Sequence, residues 1–126
     1  MKKILFIRHA KSNYSANFVN DHERTLNNVG ERDAAIMGKR LKKMNLFPDL
    51  FISSSAKRAF STSEIIKRIL SIESETMIKM SIYSDGLNGI IDLIKSAIPS
   101  TSSDVHFVSF NIFLVILTEA NSLLLK

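Results

Sequence analysis

Lys3-Ile4-Leu5-Phe6-Ile7 is a short, largely apolar run that stops abruptly at Arg8-His9-Ala10-Lys11-Ser12. A continuous apolar run of this kind suits a strand buried within a parallel sheet, with helices over its faces. The rest of the chain must then supply those helices and further strands, and the first strand must exit into polar, chemically active residues.

The downstream pattern meets that demand. Residues 13–27 are polar and read as a loop. Asn28 with Glu31 forms a candidate capping box. Ala34, Met37, Leu41 and Met44 then recur as the stripe of an amphipathic helix. Pro48-Asp49 marks a turn into a second strand, Leu50–Ser53. A helix over Ala56–Leu70 follows, with Ala59, Ile66 and Ile69 inward, and then a short strand at Lys79–Tyr83. Leu87–Ile98 reads as another helix, ended by Pro99 and the serine/threonine cluster 100–103, and Val105–Phe110 as the third clear strand. This order predicts a single α/β domain over residues 1–126, a three-layer α/β/α sandwich around a mostly parallel sheet. Ligands of such sheets bind beyond the carboxyl ends of the strands. That rule selects Arg8–Ser12, Ser53–Arg58 and the segment after Val108.

Composition narrows the function. A chain of 126 residues holds one core. With no cysteine, neither a disulfide framework nor a thiolate metal site is possible, which suits a cytoplasmic protein. His9, His22 and His106 lack metal-ligand spacing, so neither a metal nor another cofactor is expected. The net charge of +5 favours anionic partners. Its basic residues are spread along helices without a nucleic-acid motif, so nucleic acid is not an expected partner. The apolar run after Met1-Lys2-Lys3 ends at Arg8, too soon for a signal peptide. Val105–Leu117 contains His106, Ser109 and Asn111 and is too short to cross a bilayer, so no membrane partner is expected either.

Arg8-His9, directly after the first strand, is the candidate reactive pair. A neutral imidazole is a competent nucleophile toward phosphorus, and the adjacent guanidinium can bind phosphate oxygens bidentately. Ser53-Ser54-Ser55-Ala56-Lys57-Arg58 brings hydroxyls and a second arginine to a neighbouring strand end, at the start of a helix whose free amides favour anions. Together they make a phosphate site that needs no metal.

These segments resemble the signatures of the histidine phosphatase superfamily. Leu5–Ser12 resembles its Arg-His motif in the Arg-His-Ala-Lys-Ser form of SixA-type phosphohistidine phosphatases. Asp21–Gly30 resembles the Asp-x-x-Arg-Pro-Leu-Thr-x-x-Gly block, with Thr25 in place of proline. Pro48-Asp49 and Ile52–Ala59 resemble its Pro-Asp and Ser-Ser-Pro-Ala-x-Arg-Ala blocks, with Ser55 in place of proline. Thr62 matches the threonine of Gln-Thr-Ala, and Ile82-Tyr83 a Leu-Tyr pair.

The resemblance implies a phosphoglycerate mutase-like fold and a phosphatase acting on phosphohistidine proteins or small phosphorylated substrates. His9 would be the transiently phosphorylated nucleophile, and Arg8 and Arg58 would hold the phosphoryl oxygens. Lys11 and Ser12 would line the phosphate pocket, and Asp21 and Arg24 would brace the loop over it. No general acid is implied; Glu64 and Asp85 are candidates without motif support.

The likeness breaks near the C-terminus. The family's last catalytic strand ends in Val-Gly-His-Asn-Pro-Gly, whose histidine is a second phosphate ligand. Matched to Val108-Ser109-Phe110-Asn111, that motif puts Phe110 in the histidine's place. The final strand of the family is expected to be missing. Phenylalanine cannot donate a hydrogen bond, so slow turnover is expected. The alternative reading is a silent domain that binds phosphorylated partners.

Overall fold

The computed structural model of the chain describes residues 3–14, 20–97 and 112–117. Strand β1 (Lys3–Arg8) leads through the Arg8–Ser12 segment and a 3₁₀ turn at Asp21–Glu23 into helix α1 (Asn28–Lys43). Strand β2 (Leu50–Ser54), helix α2 (Lys57–Ile69) and strand β3 (Thr76–Lys79) follow. Helices α3 (Met80–Ser84) and α4 (Leu87–Ala97) precede strand β4 (Ile112–Leu117). The sheet order is β1-β4-β2-β3, and every pair is parallel.

Alternation along the strands sorts the core onto two faces. Ile4 and Phe6 of β1 pack with Leu50 and Ile52 of β2 against Ile82 of α3 and Ile90 and Leu93 of α4. Leu5 and Ile7 face the other way, with Phe51, against Leu41 of α1 and Ala59 and Ile66 of α2. The architecture is therefore the expected α/β/α sandwich. Strand β2, paired on both sides, is buried along its whole length. Strand β1 is paired with β4 alone among the described residues, and Ile4–Ile7 are only half-buried, less than an interior strand would be.

Several boundaries differ from the sequence expectation. The cap of α1 is Asn27, whose Oδ1 accepts from the Gly30 amide at 2.8 Å, so the capping position lies one residue earlier than Asn28. The third strand in sequence is Thr76–Lys79, and Met80–Tyr83, expected as strand, lie in the helix Met80–Ser84. Its Ile82 is fully buried against the β2 side chains. Helix α4 ends at Ala97 as described. The strand expected at Val105–Phe110 lies outside the described residues, as do His106 and Pro99. The strand that does pair is Ile112–Leu117, inserted between β1 and β2.

Candidate active site

The carboxyl ends of β1, β4 and β2 lie side by side, and the candidate residues sit there. Arg8 closes β1 as an exposed residue in register with Leu117 of β4. His9 follows and is 6% exposed. Its Nδ1 lies 2.6 Å from the Ala10 carbonyl oxygen, which can only accept, so Nδ1 carries the proton. Nε2 then keeps its lone pair, and the Arg58 Nε–H donates to it at 3.2 Å. This is the tautomer required of a nitrogen nucleophile.

Arg58 projects from the first turn of α2 and is 2% exposed. A buried guanidinium needs its charge compensated. The 3₁₀ turn supplies that: Arg58 Nη1 donates to the Asp21 carbonyl at 2.7 Å and Nη2 to Asp21 Oδ2 at 2.9 Å. Asp21 also accepts from Arg24 Nε at 3.0 Å and from the Tyr83 hydroxyl at 3.2 Å. Burial alone would raise the Asp21 carboxyl, but the Arg58 hydrogen bond and charge, the Tyr83 hydroxyl and the Arg24 charge together hold it below its ordinary value. Tyr83 shifts up, through burial first and then the adjacent Asp21 carboxylate.

The loop geometry has identifiable local causes. The Ala10 amide donates to Thr62 Oγ1 at 3.1 Å, and that hydroxyl donates to the Arg58 carbonyl at 2.7 Å, tying the His9 loop to α2. The Lys11 carbonyl accepts from the Asn27 amide at 3.0 Å, and Gly30 in the first turn of α1 lies against the same carbonyl. A Cβ on Gly30 would overlap the Lys11 oxygen, so only glycine lets the helix approach this closely. Ser12 bridges to Leu26, and its carbonyl accepts from Asn27 Nδ2 at 3.4 Å. Both proline departures gain a partner. Thr25 Oγ1 accepts from Asn13 Nδ2 at 3.0 Å, and Ser55 Oγ lies 2.9 Å from His22 Nε2.

Of the residues selected from sequence, the fold brings His9 and Arg58 into direct contact and adds Asp21 behind them. Arg8 stands at the adjacent strand end. Lys11 is exposed, and Lys11 and Ser12 tie into the site through their main chain. Glu64 is committed elsewhere: its carboxylate takes Lys67 Nζ at 3.3 Å and Thr76 Oγ1 at 2.8 Å, at the amino end of β3. Sequence reasoning missed His22, because the histidines were weighed only for metal spacing. The flanking carboxylates of Asp21 and Glu23 were the available signal. Phe110 lies outside the described residues. The strand in the catalytic position ends in Leu114-Val115-Ile116-Leu117, so the residue beside Arg8 is Leu117.

The profile of the histidine phosphatase superfamily (branch 1) matches residues 4–80, more than half of the chain. The chain belongs to that superfamily. A 34% identical relative over 61 residues is an uncharacterized chloroplastic protein of Arabidopsis thaliana; the match covers 48% of this chain and 28% of that protein's length. Among solved structures, an Agrobacterium tumefaciens protein assigned as the phosphohistidine phosphatase SixA superposes with a TM-score of 0.77 at 20% identity. It matches 94% of this chain and 70% of its own. The protein histidine phosphatase SixA complexed with tungstate gives a TM-score of 0.76 at 18% identity, over 97% of this chain and 73% of the other. At these identities the likeness establishes the phosphoglycerate mutase-like fold. No described helix is long and apolar enough to cross a membrane.

Proposed function

We propose that this superfamily member is a phosphatase that works through a phosphohistidine intermediate on His9, taking phosphohistidine proteins or small phosphorylated molecules as substrate. The observation that carries the reading is the Nε2 lone pair of a buried His9 facing Arg58 Nε at 3.2 Å, with Nδ1–H held by the Ala10 carbonyl. A phosphoryl group arriving at Nε2 would replace the nitrogen as acceptor of the Arg58 proton. Arg58 and Arg8 would neutralise the equatorial oxygens of a loose transition state, Lys11 and Ser12 would border the pocket, and water would release phosphate. No metal enters this scheme. Incubation with ³²P-labelled acetyl phosphate is expected to label the protein with an acid-labile, base-stable bond that His9→Ala abolishes. Label that survives His9→Ala would refute the assignment.

A second reading rests on Phe110, the residue that the resembled motif puts in its second histidine's place. A phenylalanine offers no donor to a phosphate oxygen, and loss of one such donor commonly slows turnover about 10²–10³-fold. A domain that binds a phosphorylated partner without releasing product follows from that substitution. The two readings separate on whether labelled His9 turns over within the assay.

A further inference from the structure

We propose that His22 is the proton donor to the leaving group, so that the chain is built for phosphate esters of aliphatic alcohols; this rests on His9 being the nucleophile. The 3₁₀ turn holds Arg58 through Asp21, and Arg58 in turn contacts His9, so the residue next to Asp21 stands at the rim of the reacting centre. That residue is His22. Its ring is fixed on several sides: Nε2 lies 2.9 Å from Ser55 Oγ, Nδ1 3.5 Å from Glu23 Oε1, and its edge meets the Tyr83 ring at 4.9 Å and 82°. Its side chain is still 33% exposed, which leaves room for an incoming group.

The surroundings suit a proton carrier. Glu23 lies beside Nδ1, and Lys57, which pairs with Glu23 at 2.6 Å, keeps that carboxylate in place. The other charged or titratable groups packed around the turn are Asp21, Arg24, Arg58 and Tyr83. Ser55, the hydroxyl that meets Nε2, occupies a position where the resembled block has proline, which could not make this contact. Glu64 is tied to Lys67 at the opposite end of β3. Asp85 accepts from the Ser84 hydroxyl at 3.1 Å in an exposed turn.

The step balances as follows. His9 Nε2 attacks phosphorus, the bond from phosphorus to the alcohol oxygen breaks, and that oxygen leaves with the proton of His22 Nε2. Water then attacks the phosphohistidine and gives its proton to the now neutral His22, which regenerates both histidines and releases phosphate. A leaving group that is stable as an anion has little use for this proton, and an aliphatic alkoxide depends on it.

The test compares the rate of His9 labelling from ethyl phosphate with that from 4-nitrophenyl phosphate. His22→Gln is expected to slow labelling from the ethyl ester about 10²-fold or more, and from the nitrophenyl ester far less. Glu23→Gln should shift the same ratio in the same direction by a smaller factor, and it carries the test if His22→Gln does not fold. Equal losses on both esters, or none, while His9 is still labelled, would overturn the role of His22 and leave His9 as nucleophile. Absence of label from both esters in a wild type that acetyl phosphate still labels would overturn the ester reading and the role of His22, and absence of label from acetyl phosphate as well would remove His9.

Discussion

Helix α2 buries two cations on its inward face, and they have opposite meanings. Arg58 is 2% exposed and Lys67 is 6% exposed, and each pairs with a carboxylate, Asp21 or Glu64. Lys67 Nζ also donates to Thr76 Oγ1 at 3.2 Å and lies 6.0 Å from the Phe51 ring centroid. Its neighbours are a carboxylate, a hydroxyl and a ring, and none of them is poised to react. Arg58 faces the lone pair of an imidazole at the carboxyl end of the sheet. Burial and ion pairing alone therefore do not distinguish a site from a structural staple. The sheet end and the nature of the partner atom do.

Mutations should separate the two cations sharply. Arg58→Ala is expected to cut the rate of His9 labelling by about 10²–10³, whereas Lys67→Met should leave that rate unchanged. Equal losses would erase the contrast. Phe110→His restores the donor that the resembled motif carries and should raise turnover of the phosphoenzyme by up to about 10²-fold, measured as loss of label with time. Asp21→Asn keeps the shape of the clamp on Arg58 but removes its charge, and a drop of about tenfold in labelling is expected from looser positioning.

Two smaller effects concern stability. The folded-state Asp21 carboxyl titrates below its unfolded value, so its contribution is complete above about pH 4 and is lost as pH falls through the lower folded value. Asp21→Asn should flatten that part of the profile in urea melts at acid pH. At neutral pH, Lys67→Met should change stability by no more than about 1 kcal/mol, because hydrocarbon replaces a buried ion pair at little net cost. A larger loss would mean that Lys67 anchors β3.

Much of this was legible where local pattern and environment agree. Strand β2 and helix α2 are continuous or periodic in their apolar residues, and their bounds fell within a residue of expectation. Met80–Tyr83 was misread as strand because Ile82 and Tyr83 favour strands locally, while packing of Ile82 on β2 decides for a helix. The strand expected at Val105–Phe110 lies outside the described residues, and pairing with β1 picks out Ile112–Leu117, further along an apolar stretch that local pattern alone does not divide. The contacts of Asp21 and His22 were invisible for another reason: both join residues more than thirty positions apart across three elements.

Strand β4 separates β1 from β2 in the sheet. His9 and Arg58 therefore cannot take up their final separation until β4 has slid between the strands that carry them. A nascent chain emerging from the ribosome would hold both halves of the centre long before it held the wedge that spaces them. Such late, long-range closure is slow and leaves the flanking strand edges open in the interim. Chaperone dependence during synthesis, and recovery of a truncated chain by a peptide spanning residues 112–117, are the practical corollaries.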